Sequence, residues 1–160
     1  TMIKAVFDCN IFWQIFFSTK GIGAKCWELV TTERVELIVS SDILDEIRDV
    51  LTRPETQTKF TKATNENVDV FLEEIIEFAT FVSVVPKRFI YSRDQKDEPY
   101  INLAVHKKAH YIVSRDKDLL DLMTRFDNES KEFRKRFRPL KVVDTITFVE
   151  IVERSSGLIT

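Results

Sequence analysis

Apolar residues along this chain fall into short runs that switch between two spacings. Ile3 to Phe7 is an apolar run ending at an acid, which suits a buried strand. Asn10 to Phe17 and Ala24 to Thr31 read as helices on either side of a Gly21-Ile22-Gly23 break. Val35 to Val39 reads as a second strand. Ser40-Ser41-Asp42 then offers N-caps for a helix reaching about Arg53, which Pro54 ends. Asn65 to Phe78 is amphipathic at helical spacing, and Phe81 to Val85 is a strand closed by Pro86. A polar loop, Lys87 to Lys96, leads into a helix opened by Asp97-Glu98-Pro99 and reaching about Lys108. Tyr111 to Ser114 is the next strand and Lys117 to Leu122 a short helix. The charged stretch Phe126 to Arg138 fits neither pattern, while Leu140 to Val143 and Ile146 to Val152 read as the last strand and helix. Strands alternating with helices imply an α/β fold, a parallel sheet covered on both faces. With no internal repeat or linker, residues 2–153 are expected to form one domain, with 154–160 as a C-terminal tail.

A length of 160 residues with 44% hydrophobic content, three Gly and four Pro supports one ordinary packed domain. The 24 basic and 26 acidic residues give a net charge of −2, so no global basic field announces a nucleic-acid binder. Any such reading must rest on local features. Cys9 and Cys26 form no CxxC pair and have no nearby His, which excludes common zinc and redox motifs. Unremarkable thiols fit a reducing, intracellular setting. No apolar stretch approaches the roughly 20 residues that span a bilayer. Met2 runs directly into the first strand pattern, so no signal peptide is expected, Thr1 reads as an added residue, and the expected location is the cytoplasm.

In open α/β sheets, ligands bind beyond the carboxyl ends of the strands. Asp8 follows the first strand, Asp97 opens a helix, and Asp116 follows the Tyr111–Ser114 strand. Each has a bland explanation as an N-cap. Glu46 lies inside a helix, at the edge of the apolar stripe made by Ile43, Leu44, Ile47, Val50 and Leu51, whereas Asp45 and Asp49 project toward solvent. Asp97 aligns with Ile101, Ala104 and Val105 on the inward side of its helix, which is odd for a solvent cap. Carboxylates that converge without basic partners repel one another, and burying them is costly. A divalent cation resolves the conflict, and oxygen-only ligands suit Mg²⁺ or Mn²⁺.

Four segments together resemble the PIN-domain family: Val6-Phe7-Asp8-Cys9-Asn10, Ser41-Asp42-Ile43-Leu44-Asp45-Glu46, Asp94-Gln95-Lys96-Asp97-Glu98-Pro99-Tyr100, and Ile112-Val113-Ser114-Arg115-Asp116-Lys117-Asp118-Leu119. They are similar in particular to the VapC-like branch, the toxins of toxin–antitoxin pairs. The resemblance runs from Met2 to about Val152 and implies a three-layer α/β/α sandwich around a parallel sheet of four or five strands. It implies a metal-dependent ribonuclease whose catalytic, metal-binding acids are Asp8, Glu46, Asp97 and Asp116. Asp118 follows as an auxiliary ligand, and Asn10 and Ser114 as residues that order the site. Cys9 stands where relatives often carry a hydroxyl, and Gln95 where this branch often carries Pro.

A cation that lowers the pKa of water removes the need for a His base, and His106 and His110 are expected at the surface. Arg93, Lys96, Arg115 and Lys117 flank the expected ligands and are candidates for RNA phosphate contact. Lys131 to Arg138 mixes basic and aromatic residues, either as single-strand binders do or as a solvated segment with two anchoring Phe. Phe12 to Phe17 is apolar almost all round and reads as core, any exposed remainder suiting a homodimer face or an antitoxin groove. Phosphotransfer on an aspartate fits less well, because Asn10 stands two after Asp8 and no Lys ends a later strand. A non-catalytic PIN-like module binding RNA or protein is the alternative reading.

Overall fold

The computed structural model describes residues 2–157. Five strands, β1 (Ile3–Phe7), β2 (Val35–Ser40), β3 (Thr80–Val82), β4 (Tyr111–Val113) and β5 (Lys141–Val143), form one sheet in the order β3-β2-β1-β4-β5. Every pairing is parallel, with Ala5 opposite Leu37 and Val6 opposite Ile112. The helices are α1 (Cys9–Phe17), α2 (Ile22–Thr31), α3 (Ser41–Leu51), α4 (Pro54–Lys59), α5 (Asn65–Phe78), α6 (Glu98–His106), α7 (Lys117–Leu120), α8 (Asn128–Arg136) and α9 (Thr145–Gly157). Successive residues of β1, Ala5, Val6 and Phe7, are all fully buried, so both faces of the sheet are covered. This is the expected α/β/α sandwich. Phe7 centres the core, its ring meeting Phe12 of α1 and Phe148 of α9.

The chain runs outward from β1 through β2 to β3, then returns to the other side of β1 for β4 and β5. The reversal therefore lies between β1 and β4. That topology opens a crevice at the carboxyl ends of those two strands. Asp8 and Ser114 are the first residues beyond them.

Local chemistry sets the ends of the helices. Ser40 caps α3 by accepting from the Ile43 amide, and Thr64 caps α5 by accepting from Asn67. Gly21 takes φ 95° ahead of α2, which leaves Ile22 and Gly23 already helical rather than part of the break. A Cβ on Gly23 would come within 2.8 Å of the Gln14 Cβ, so the missing side chain lets α2 lie close on α1. Pro54 ends α3 and also opens α4 at its first position, where a missing N–H costs nothing. The ambiguous stretch before β5 contains α8, anchored by Phe133 against Phe89. β3 is shorter than the apolar run Phe81–Val85 because it is an edge strand, with Phe81 and Val84 exposed. The stretch expected as a tail begins inside α9, and residues 158–160 lie outside the described part. No helix among the described residues is long and apolar enough to cross a membrane.

Candidate active site

Strand ends and helix starts together build an acidic cleft of about 150 Å³ lined by Asp8, Glu46, Asp94, Asp97, Tyr100 and Asp116, with Cys9, Asn10 and Lys96. Asp8 caps α1, its Oδ1 accepting from the Asn10 amide at 2.8 Å. Its other oxygen accepts from the buried Ser114 hydroxyl. Ser114 Oγ in turn accepts from the Asp116 amide at 2.8 Å, so one hydroxyl ties the acids after β1 and β4 together. Asp116 caps α7 by accepting from Asp118 N at 2.9 Å. The bland N-cap reading thus holds for Asp8 and Asp116, yet it aims both carboxylates at the same crevice. Asn10 contributes through its backbone amide, while its side chain is exposed at the cleft.

Asp97 is different. It sits at the N-cap position of α6 but caps nothing, and its Oδ2 is buried without a hydrogen-bond partner. An orphan carboxylate oxygen is costly in a folded protein. Around it, single oxygens of Asp94, Asp97, Asp116 and Asp118 all lie within 4.8 Å of one another. Burial first, then the charges of Asp116, Asp94 and Asp8, push the Asp97 carboxyl up to about 8. Burial likewise raises Asp8 to about 6, against the opposing Ser114 and Asn10 hydrogen bonds. Four carboxylates this close, one of them orphaned, fit a divalent cation with oxygen ligands.

Asp8 and Glu46 share the cleft without belonging to that tight group. Glu46 accepts from the Tyr100 hydroxyl, and its neighbours Asp45 and Asp49 are exposed, as the helical wheel anticipates. Asp118 is in the group but also pairs with Arg93 Nε at 2.9 Å. Arg93 and Lys117 both reach Asp121, at 2.8 and 2.9 Å. These two cations are therefore committed to acids. Lys96 and Arg115 are exposed and make no ion pair among the described residues. His106 and His110 lie at the opposite end of α6, and His110 Nδ1 accepts from the Lys4 amide.

Asp94 belongs to the acidic group but was not singled out by the sequence. Its motif, Asp-x-x-Asp on a loop, was visible. What could not be read was the single 3₁₀ turn, Gln95–Asp97, capped by Asp94 itself, that folds the two acids together. Two buried polar residues of α6 were missed as well. Glu98 accepts from the Tyr91 amide and pairs with Lys87, and Asn102 holds the Arg88 and Phe89 amides. Together with the Tyr91 hydroxyl, which donates to the Asp118 carbonyl at 2.6 Å, they pin the long strap that delivers Arg93 and Asp94.

A crevice at the sheet's reversal, lined by clustered carboxylates, one of them with a buried oxygen that has no hydrogen-bond partner, defines an α/β protein with an acidic cleft suited to a divalent cation. The chain belongs to the PIN-domain family, whose model matches residues 4–118. PIN domains are generally nucleases that use divalent metals. An uncharacterized protein of Methanocaldococcus jannaschii is 30% identical over 155 residues, spanning 95% of this chain and 93% of that one. Among solved structures, that of VapBC2 from Rickettsia felis, bound to a DNA fragment from their promoter, shares the fold at TM-score 0.54 and 15% identity. The match covers 89% of this chain and 98% of that one.

The raised carboxyls set a pH dependence for the metal-free protein. Asp97 and Asp8 hold protons in the folded state that they lose near 3.8 when unfolded. Their contribution is complete below that value and is lost as pH rises through about 6 and about 8. Melting temperature in EDTA should fall between pH 5 and pH 8, roughly the window these shifts define. Added Mn²⁺ should restore it at pH 8, and Asp97→Asn should flatten the metal-free profile. Differential scanning calorimetry reads this directly, and a wild-type melt that rises across that window contradicts the assignment.

Proposed function

We propose that this chain is a Mg²⁺- or Mn²⁺-dependent endoribonuclease, the VapC-like toxin of a toxin–antitoxin pair. The observation that carries the reading is the buried, unpartnered Asp97 oxygen crowded by Asp94, Asp116 and Asp118. Asp8, Asp97 and Asp116, with Asp94 and Asp118 beside them and Glu46 across the cleft, would hold the cation. When bound there, it supplies charge neutralisation and water activation for phosphodiester hydrolysis.

The chain's own residues do the rest. Ser114 fixes the spacing of Asp8 and Asp116 by bonding to both. Tyr100 holds Glu46 in one orientation by donating to it. Arg93 restrains Asp118, keeping the outer acid from swinging to solvent. Lys96, which lines the cleft, and Arg115, next to Asp116 in the chain, are exposed and make no ion pair among the described residues, which supports them as the contacts for RNA phosphates. An acidic cleft beside a few cations repels polyanions over much of its surface, so RNA affinity is modest and salt-sensitive.

The antitoxin is proposed to dock in a groove of about 520 Å³ between α1, α2 and α5. Ile15, Phe16, Trp27, Val70 and Phe71 line it, and Glu28 and Glu74 stand at its edges. In the aromatic stretch of α1, Phe12 and Phe16 are buried, Ile15 and an edge of Phe16 reach this groove, and Trp13 and Phe17 pack on Phe60. The VapBC2 likeness supports a two-protein assembly. A homodimer is proposed as well, and the half-buried and buried unpaired thiols suit a reducing cytoplasm.

Purified protein should cleave single-stranded RNA with Mn²⁺ or Mg²⁺ and stop with EDTA. Asp8→Asn should abolish cleavage while melting no lower than wild type, because Asn still caps and one repelling charge is gone. Ser114→Ala should lose about 10–100-fold in rate, as expected for a residue that orients ligands. Undiminished cleavage by Asp8→Asn would remove it from the site. Expression in a host cell should arrest growth, and Asp8→Asn should relieve the arrest. Light scattering at tens of micromolar should give twice the chain mass, and a monomer there rules out the homodimer.

A further inference from the structure

The charged stretch ahead of β5 ends in a feature that the acidic cleft does not use. At the amino-terminal edge of β4 and β5, a second cavity of about 340 Å³ opens between the end of α6 and the end of α8. Its polar wall is Lys108, His110, Arg136 and Arg138, and its apolar floor includes Phe137 and Leu140. No acid lines it. Of its cations, Arg136 is paired, with Glu132 at 3.3 Å on the exposed face of α8. Lys108 has no ion pair among the described residues, and Arg138 Nε bonds only the Arg134 carbonyl, at 3.4 Å.

The Phe residues of this stretch are not base platforms. Phe133 is buried, and Phe137 packs edge-on against Phe89 and Phe133. The outer face of Phe137 carries the Arg136 guanidinium, 4.9 Å from the ring centroid. That stacking holds a planar fork beside the cavity's apolar floor. His110, whose Nδ1 accepts from Lys4, keeps its proton on Nε2 and remains a donor when neutral. The exposed Lys131 and Lys135 continue the positive face back along α8 toward Glu129, which binds Ser92 beside the strap that carries Asp94.

We propose that this basic cavity is a second RNA-binding site, taking a phosphate and its attached base from a single strand whose neighbouring stretch enters the acidic cleft. The inference rests on the ribonuclease reading for its ligand, but not for its location. α6 separates the two sites by roughly 14 Å at 1.5 Å per residue. Four donors around an apolar floor match phosphate and base together, and the guanidinium plane can stack a base. The track of lysines along α8 favours a polymer over a free nucleotide. Such a site offsets the repulsion between polyanionic RNA and the cleft's own carboxylates, because it holds the strand where the protein is positive.

The test is binding without catalysis. A fluorescein-labelled single-stranded RNA of about twelve nucleotides is titrated with full-length protein in EDTA and followed by anisotropy. Arg136→Gln with Arg138→Gln should weaken binding about tenfold and reduce the salt slope by about 1.4, two phosphate contacts' worth. Lys20→Gln with Lys25→Gln removes the same charge elsewhere and should change affinity less than twofold. Should the Arg138 change lower the melting temperature, Lys108→Gln alone carries the test, since its exposed side chain makes no hydrogen bond or ion pair among the described residues. Unchanged binding in the cavity variants overturns the proposal, and so does an equal loss in the Lys20/Lys25 variant. Displacement of the RNA by uridine monophosphate at matching concentration overturns it in favour of a nucleotide site. Cavity-dependent binding by a protein that cuts no RNA would sink the nuclease reading and leave this one standing.

Discussion

Mutual repulsion among carboxylates at the junction of β1 and β4 is the constraint around which this molecule is arranged. A parallel sheet whose strand order reverses leaves a crevice there, and the backbone amides opening α1 and α7 attract acids to it. One Asp at each helix start is stabilising by itself. Converged on one crevice, the same acids become destabilising, and Asp97 has no local bond to offset the cost. Burial without a partner pushes the carboxyl up to about 8 in the metal-free protein and fits a site that a divalent cation completes. Ser114, Tyr100 and the Arg93–Asp118 pair then appear as devices that hold like charges at fixed separation. Without them, the side chains would relax apart.

The strap between β3 and α6 shows how much structure such a site requires. It has little regular secondary structure, yet Glu98, Asn102 and Tyr91 satisfy its backbone and fasten it to α6 and to the carbonyl of Asp118. Glu98 sits next to Asp97 in the sequence and faces the other way, bonded to the Tyr91 amide and Lys87. Adjacent acids thus divide the labour, one holding the scaffold and one left available to a ligand.

Period and punctuation made most of the fold legible. The apolar run Ile3–Phe7 marked β1 as buried, the alternation of strands with helices implied a sheet covered on both faces, and α5 was read at its observed bounds because its stripe is unbroken. The wheel around Glu46 worked for the same reason. α4 was missed because Pro54 carries two meanings, a stop for one helix and a start for the next. α8 was obscured because only Phe133 and Ser130 are buried on it, too few to print a period. Asp94 escaped notice because its approach to Asp97 depends on a 3₁₀ turn within a polar loop, where no periodicity operates. The two Phe of the basic stretch read equally well as anchors or as stacking platforms, and packing against Phe89 makes them anchors.

The PIN-domain assignment and the proposed chemistry meet in one quantity, the affinity of the carboxylate group for a divalent ion. Calorimetric titration of Mn²⁺ into metal-free protein at pH 7, in buffers of different ionisation enthalpy, measures both binding and the protons released. Saturable binding with release of close to one proton is expected, because Asp97 must give up the proton that burial holds on it, and Asp97→Asn should abolish both signals. Absence of binding by the wild type, or equal binding by Asp97→Asn, would contradict the account.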